Sequence, residues 1–266
     1  MSLEISGLGF GYRTHKLFDS LDAPSLRRGE VTALVGPNGV GKSSLFRLVA
    51  GLLNPSCGRI CLDGCNISGM SDRHRAERIF LLTQHTAMRA TLGVFDVVLL
   101  AKRGWRGGRA TGDDIARVEQ ALEELGIDHL SDRLVTELSG GQQQLVALCQ
   151  ALVRDPDVLL LDEPTSALDL RRQLEVMSLV QRVTRERRIV TVTALHDLGL
   201  ACRFADRFLL LHEGSIAADG SPYEVLGAKV TSDAYGVRLA IEEATNGAIM
   251  VHADLLEPRR SQITNS

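Results

Sequence analysis

Eight residues constrain this chain more than any others. Gly36-Pro37-Asn38-Gly39-Val40-Gly41-Lys42-Ser43 follows a nearly continuous apolar run at residues 30–35. It precedes residues 44–53, where Leu45, Leu48, Val49 and Leu52 recur at helical spacing. An unbroken apolar run marks a strand buried on both faces of a sheet. The octet therefore reads as a tight strand-to-helix turn matching G-x-x-x-x-G-K-[ST], in the setting that gives this pattern meaning. Its glycines let backbone N–H groups converge on phosphate oxygens at a helix N-terminus. Lys42 adds a positive charge for the β- and γ-phosphates, and Ser43 a hydroxyl for magnesium. A glycine turn with an incidental lysine is the bland alternative. It is weakened because only four of the 30 basic residues are lysines, namely Lys16, Lys42, Lys102 and Lys229.

A second pattern complements the first. The apolar residues 158–161 end in Asp162-Glu163. In a parallel α/β sheet such a strand delivers its carboxylates to the C-terminal edge, where ligands bind. Asp162 is placed to hold magnesium, and Glu163 to polarise an attacking water as general base. Alone this is weak, because helix N-caps look similar; beside a phosphate loop it is strong. Leu138-Ser139-Gly140-Gly141-Gln142 opens a further helix. It offers a hydroxyl, free N–H groups and the positive end of the helix dipole. A plain serine N-cap would look the same. One chain with two such helix starts and a single lysine loop suggests that the second faces another subunit's nucleotide.

Around these motifs, strands are predicted at residues 3–10, 25–26, 60–62, 79–83, 158–161 and 189–194, with a basic loop between the first two. Helices are predicted at residues 44–53, 174–183 and 198–204, the first stopped by Asn54-Pro55. A hairpin is predicted at residues 208–218. Strands alternating with helices mean an α/β fold with a mainly parallel sheet. Residues 84–154 break the alternation, with apolar spacings of three and four and a glycine cluster, and read as an inserted helical lobe. At 266 residues and 44% hydrophobic, the chain can bury a full core. Its net charge of −3 argues against bulk nucleic-acid binding. It lacks the roughly 18 consecutive apolar residues of a membrane span. Residues 1–10 do not read as a signal peptide, so a cytoplasmic chain that meets a membrane only through a partner is expected.

Phosphate loop, Leu-Ser-Gly-Gly-Gln, then Leu-Leu-Asp-Glu-Pro-Thr-Ser-Ala-Leu-Asp and Leu-His-Asp, in that order, resemble the nucleotide-binding subunit of an ATP-binding cassette transporter. The resemblance covers roughly residues 3–225. It implies a P-loop NTPase (RecA-like) core over residues 1–83 and 155–226, with an N-terminal antiparallel β subdomain. A helical subdomain occupies residues 84–154 and a short extension residues 227–266, its end frayed. It implies ATP hydrolysis with ATP and Mg2+, in a head-to-tail dimer with two ATP molecules at the seam. By this resemblance Gly36, Pro37, Asn38, Gly39, Val40, Gly41, Lys42, Ser43 and Ser44 cradle the phosphates, and Tyr12 stacks on adenine. Ser139, Gly140, Gly141 and Gln142 grip the partner's γ-phosphate, and Asp169 cross-links the two sites. Ser43, Gln84 and Asp162 serve magnesium. Glu163, His196 and Gln84 serve hydrolysis, His196 as the switch at the γ-phosphate. Gln143, Gln144 and Gln150 stand where many relatives place arginines, which lowers local charge and bears on turnover and partner contacts.

Phe95-Asp96-Val97-Val98-Leu99-Leu100-Ala101-Lys102-Arg103-Gly104 resembles the coupling groove of importers for ferric siderophores, haem and cobalamin. Leu195-His196-Asp197-Leu198-Gly199-Leu200-Ala201 and the tail's Tyr235-Gly236-Val237 fit the same group. The implied partners are an integral-membrane permease and, indirectly, a substrate-binding protein, with the chain at the cytoplasmic face of the membrane. An iron–siderophore importer is the leading reading, with haem, cobalamin or another metal chelate beside it. A soluble cassette ATPase of iron–sulfur cluster assembly shares length and motifs. Chromosome-associated and translation-type cassettes are disfavoured, since no long coiled coil splits the chain and only one phosphate loop is present.

The five cysteines, without a secretion signal, argue against a disulfide scaffold. Cys57, Cys61 and Cys65 look like a metal motif, but on one strand their spacing of four puts neighbours about 13 Å apart. They are read as small buried apolar residues. Replacing all three with serine is expected to leave bound metal unchanged, as elemental analysis of the purified protein would show. A stoichiometric metal lost in the triple variant would overturn this.

Overall fold

The computed structural model describes residues 2–13, 15–83, 91–104, 109–245 and 249–255. The chain begins with a long hairpin, β1 (Ser2–Tyr12) and β2 (His15–Arg27). After β3 (Val31–Val35) and α1 (Lys42–Val49) come β4 (Cys57–Leu62) and β5 (Cys65–Asn66). Then come α2 (Asp72–Arg78) and β6 (Ile79–Leu82), and after them α3 (Val94–Arg103), α4 (Gly112–Glu124) and α5 (Gly140–Val153). β7 (Val158–Asp162), α6 (Leu170–Glu186), β8 (Val190–Ala194), α7 (Leu198–Phe204), β9 (Arg207–His212) and β10 (Ser215–Gly220) complete the alternation. The chain then runs through α8 (Pro222–Gly227), α9 (Lys229–Tyr235), β11 (Val237–Glu243) and β12 (Ile249–Leu255).

The central sheet has the order β10-β9-β3-β8-β7-β6 and is parallel except for β10. A separate antiparallel sheet, β2-β1-β4-β5, shares a core cluster with it, and among the described residues β11 pairs with β12 alone. Side-chain alternation along each strand divides the core. Val158 and Leu160 join the cluster beneath α1 and the antiparallel sheet, while Leu159 and Leu161 join the cluster of α3–α6. Leu209 and Leu211 face the first of these clusters, whereas Phe208 and Leu210 join Val31, Ala33 and Val35 beneath α7 and the tail.

Several expectations need correction. β2 is a 13-residue strand, not a basic loop. Asp19, Ser20, Asp22 and Pro24 hide it from the apolar pattern, and it tolerates them because it lies at a sheet edge, with register shifts along β1. The first helix stops at Val49, before Asn54-Pro55. Gly51, at φ +72, turns the chain and donates its N–H to Leu48, so Leu52 is exposed despite its helical spacing. Cys57 and Cys65 are exposed, not buried. Cys65 is not on the strand of Cys57 and Cys61 either, because the Asp63-Gly64 turn folds it back opposite Leu62. Beyond α8 the tail carries a further helix and a hairpin, and residues 258–266, expected to fray, lie outside the described residues.

A ring of four charges ties the sheets together. Arg28 Nη2 donates to Asp63 Oδ2 and Asp157 Oδ1, both at 2.7 Å, and Arg78 Nε donates to Asp157 Oδ2 at 2.6 Å. The Arg28 hydrogen bond holds the Asp63 carboxyl below its ordinary value of 3.8. Burial alone would raise Asp157, but the bonds from Arg78 and Arg28 outweigh it and bring that carboxyl down too. A depressed carboxylate stabilises the fold above its unfolded value, and that stability is lost as pH falls through the folded value. Asp63→Asn should therefore be less stable than the natural chain at neutral pH, by denaturant unfolding. The gap should close with acid; a gap that stays constant below 3.8 would exclude this source of stability.

Candidate nucleotide site

Three ends of the parallel strands meet in one place. β3 runs into the glycine octet, β7 ends at Asp162, and β8 leads through Leu195 to His196. Asn38, Gly39, Gly41, Lys42, Ser43, Ser44, Asp162, Glu163 and His196 line one cavity of about 350 Å³. It lies at the C-terminal edge of the sheet, where α/β folds bind ligands. α1 begins after Gly41, at φ +111, with no side-chain cap and no acidic residue in its first turn. α5, α6, α7 and α8 each start on a capping hydroxyl or carboxylate. The open N–H groups of α1 are therefore left for an external anion.

Lys42 is buried, and Nζ donates to the carbonyls of Gly36 at 2.6 Å and Pro37 at 2.9 Å. Burial lowers its pKa, while the Glu163 and Asp162 carboxylates push it back up. Gly36 and Pro37 thus form the base of the loop rather than the cavity wall, and Val40 packs on the core beneath the antiparallel sheet. Tyr12 is exposed at the rim, its hydroxyl 3.2 Å from Ser44 Oγ and its ring edge-on to Phe10. Tyr12 is the last residue of β1, and its ring is partly exposed there.

Glu163 takes a left-handed conformation, φ +55, at the end of β7. Non-glycine residues adopt this region at a cost and only where the surroundings enforce it. The Ser166 N–H and hydroxyl both donate to the Glu163 carbonyl, and three residues reach Glu163 from elsewhere in the chain. The Glu163 N–H donates to Ala194 O at 3.0 Å, Gln144 Nε2 donates to Glu163 O at 2.9 Å, and the carboxylate pairs with His196 Nε2. Gln144 is buried on α5, and its Oε1 also accepts the Ala167 N–H at 3.3 Å. Sequence reasoning saw this glutamine only as a missing positive charge. Gln143 and Gln150 likewise spend their amides on carbonyls of the helical lobe.

A second cavity, about 550 Å³, is lined by Ser139, Gly140, Gly141, Gln142 and Asp169, with Arg172 beside them. Among the described residues none lines both cavities. Ser139 and Gln142 form a capping box on α5, and Asp169 caps α6 through the Arg172 N–H at 2.9 Å. A Cβ on Gly141 would sit 2.8 Å from Ala167 O, whereas one on Gly140 would meet nothing within 4 Å. Gly141 is needed by this chain's own packing; Gly140 is not. Gln84 lies outside the described residues.

Residues 23–166 match the model of the ABC transporter family. The chain belongs to this family. Hemin import ATP-binding protein HmuV of Rhodopseudomonas palustris strain BisB18 is 35% identical over 268 residues, spanning 98% of this chain and 97% of its own. Ferric enterobactin transport ATP-binding protein FepC of Escherichia coli K12 is 34% identical over 255 residues, spanning 92% and 91%. Among solved structures, cbiO1 from Clostridium perfringens, part of the ABC transporter complex cbiONQ, superposes with a TM-score of 0.75. It is 33% identical and covers 85% of this chain and 91% of its own. The α/β fold with its mainly parallel sheet is that of an ABC cassette. The chain is an ABC ATPase that binds ATP and couples its hydrolysis to transport.

Gln144 gives this assembly its most exposed weakness. Gln144→Ala would leave the Glu163 carbonyl with only the Ser166 N–H and hydroxyl, and would take its side-chain acceptor from the Ala167 N–H, at about 1 kcal/mol. It should lower stability in equilibrium unfolding and slow ATP hydrolysis more than it weakens ATP binding. Hydrolysis that is unaffected would show that Gln144 does not hold Glu163 in place.

Proposed function

We propose that the chain works as one of two identical subunits, arranged head to tail, that power uptake of an iron chelate or haem through an integral-membrane permease. The observation that carries the dimer is the pair of separate cavities. One has the lysine loop and both carboxylates, and the other has the Ser-Gly-Gly helix start with Asp169 and Arg172 but neither the loop nor the Asp162-Glu163 pair, so neither is a whole site. Two copies in antiparallel register would close each first cavity with the other's second. The relatives named for hemin, ferric enterobactin and achromobactin support the substrate class. No helix among the described residues is long and apolar enough to cross a membrane, which fits attachment at the cytoplasmic face through the permease. The substrate-binding protein would act from the far side, and nothing favours the soluble iron–sulfur reading. α3, with Leu99 and Arg103, is the proposed permease groove; Trp105, expected beside it, lies outside the described residues.

In this reading residues 1–226 form the nucleotide-binding domain and residues 227–266 an extension. The α1 N–H groups and Lys42 hold the phosphates, and Tyr12 the base. Ser43 and Asp162 suit magnesium, a hydroxyl and a carboxylate on one cavity wall. When bound, that ion would neutralise phosphate charge. Gln84 would complete its surroundings. Glu163 orients a water against the γ-phosphorus and takes its proton as the oxygen–phosphorus bond forms and ADP departs. His196, already paired with that carboxylate, holds its direction. Ser139, Gly140, Gly141 and Gln142 grip the γ-phosphate on the other subunit, and Asp169 links the two sites.

Glutamine at position 163 keeps shape and hydrogen bonding but is a very poor base. Glu163→Gln should bind Mg-ATP and hydrolyse it about 10²–10⁴-fold more slowly. It should accumulate as an ATP-bound dimer, while Lys42→Ala should fail at binding and Ser139→Arg at dimer closure. Phosphate release and light scattering, measured side by side, decide the matter. Wild-type turnover in Glu163→Gln would remove the base assignment; a slow variant that stays monomeric even beside its permease would remove the shared site.

A further inference from the structure

The paired residues of β3 and β9 end at Val35, opposite Leu210. The next N–H, that of Gly36, is donated to the hydroxyl oxygen of Tyr235 at 2.8 Å, across 199 positions of sequence. Gly36 sits at φ +144, and a Cβ there would lie 2.3 Å from Leu211 O. The residue is therefore confined on the β9 side. Its carbonyl in turn accepts from Lys42 Nζ at 2.6 Å. A single glycine thus connects a tail hydroxyl to the lysine that faces the phosphates.

Tyr235 is held as a fixed acceptor. It ends α9, which Gly236 closes in the left-handed conformation at φ +66. The Thr231 hydroxyl donates to Val225 O, and Ser232 Oγ accepts the Leu239 N–H at 3.2 Å, pinning α9 to both its neighbours. Tyr235 packs with Val230, Ala234, Ile241 and Val251 on the cluster that contains Val35. Burial raises its pKa against the opposing pull of the Gly36 N–H, so the hydroxyl is neutral. Two helices and a hairpin therefore bring one oxygen to the base of the loop.

We propose that Tyr235 is a positioning residue for the phosphate loop, through which the segment after residue 226 sets how tightly Mg-ATP is held. Without the hydroxyl, a part-buried N–H loses its acceptor and the peptide between Val35 and Gly36 turns toward another partner, which changes the torsions at Gly36. The Gly36 carbonyl, in the next peptide, then no longer aligns Lys42. The chemistry of hydrolysis lies on β7 and β8, on separate strands, so binding should suffer and the chemical step should not. The inference rests on residues 36–43 being the ATP phosphate site.

The test uses the full chain. Tyr235→Phe removes one oxygen and keeps the ring. Its Kd for Mg-ATP by calorimetry, and its KM, should rise about five- to fifty-fold, with kcat little changed. Ile241→Ala thins the packing of the same tail without touching Gly36. It should lower the melting temperature and leave KM alone. An unchanged Kd in Tyr235→Phe overturns the proposal, as does an equal rise in KM in Ile241→Ala, which would make the effect one of packing. Hydrogen exchange in the unaltered protein needs no variant: the Gly36 amide should exchange as slowly as that of Val35. Rapid exchange there overturns the proposal even if Tyr235→Phe fails to fold. Should the unaltered chain bind no Mg-ATP, it is the ATP-site reading that fails.

Discussion

Burial of the parallel strands on both faces is the constraint on which the chemistry depends. β3, β7 and β8 have no exposed residue, so alternate side chains must satisfy two different layers at once. That requirement fixes the register of each strand, since a slip of one residue would exchange its two faces. With register fixed, the strand ends are fixed too. Gly36, Asp162 and His196 emerge together because Leu34, Leu160 and Val192 are locked into one cluster behind them. The polar groups of the site need no core of their own.

At the edge, the backbone is held mainly by side chains that reach from elsewhere. Gln144 binds both Glu163 and Ala167, and Gln173 Nε2 donates to Thr165 O and Leu168 O, each at 3.1 Å. The loop after β7 is thereby stitched to α5 and α6. A shift of α5 has a direct route to the carboxylate that would activate water, and this is the helix that begins at the Ser-Gly-Gly turn. The same contacts explain how Glu163 keeps a backbone conformation that few residues other than glycine adopt.

The fold was legible where one residue type carried the information. β7 shows as an unbroken apolar run, β3 as one interrupted only by Thr32 and β8 as a β-branched stretch, and the octet shows as a pattern whose lysine is rare in this chain. β2 was not legible, because an edge strand accepts Asp, Ser and Pro that an interior strand would refuse. The end of α1 was misplaced because Leu52 keeps helical spacing past Gly51, and spacing carries no sign of a left-handed turn. Cys65 falls on the wrong strand for the same reason: the Asp63-Gly64 turn shows in the sequence, and the return of the chain beyond it does not. Gln144 and Tyr235 were hidden for a deeper reason. Each acts on a backbone group far away in sequence, and backbone atoms leave no mark in a string of side chains.

The two glycines that open α5 differ in who enforces them. Position 141 lies against Ala167 O and is policed by the chain's own packing. Position 140 borders empty space within the single chain. A selection that reads only whether one copy folds and stays in solution would therefore reject side chains at 141 and admit them at 140. The information held at 140 belongs to whatever approaches that surface. Its loss would be silent in the isolated subunit and would surface only upon assembly.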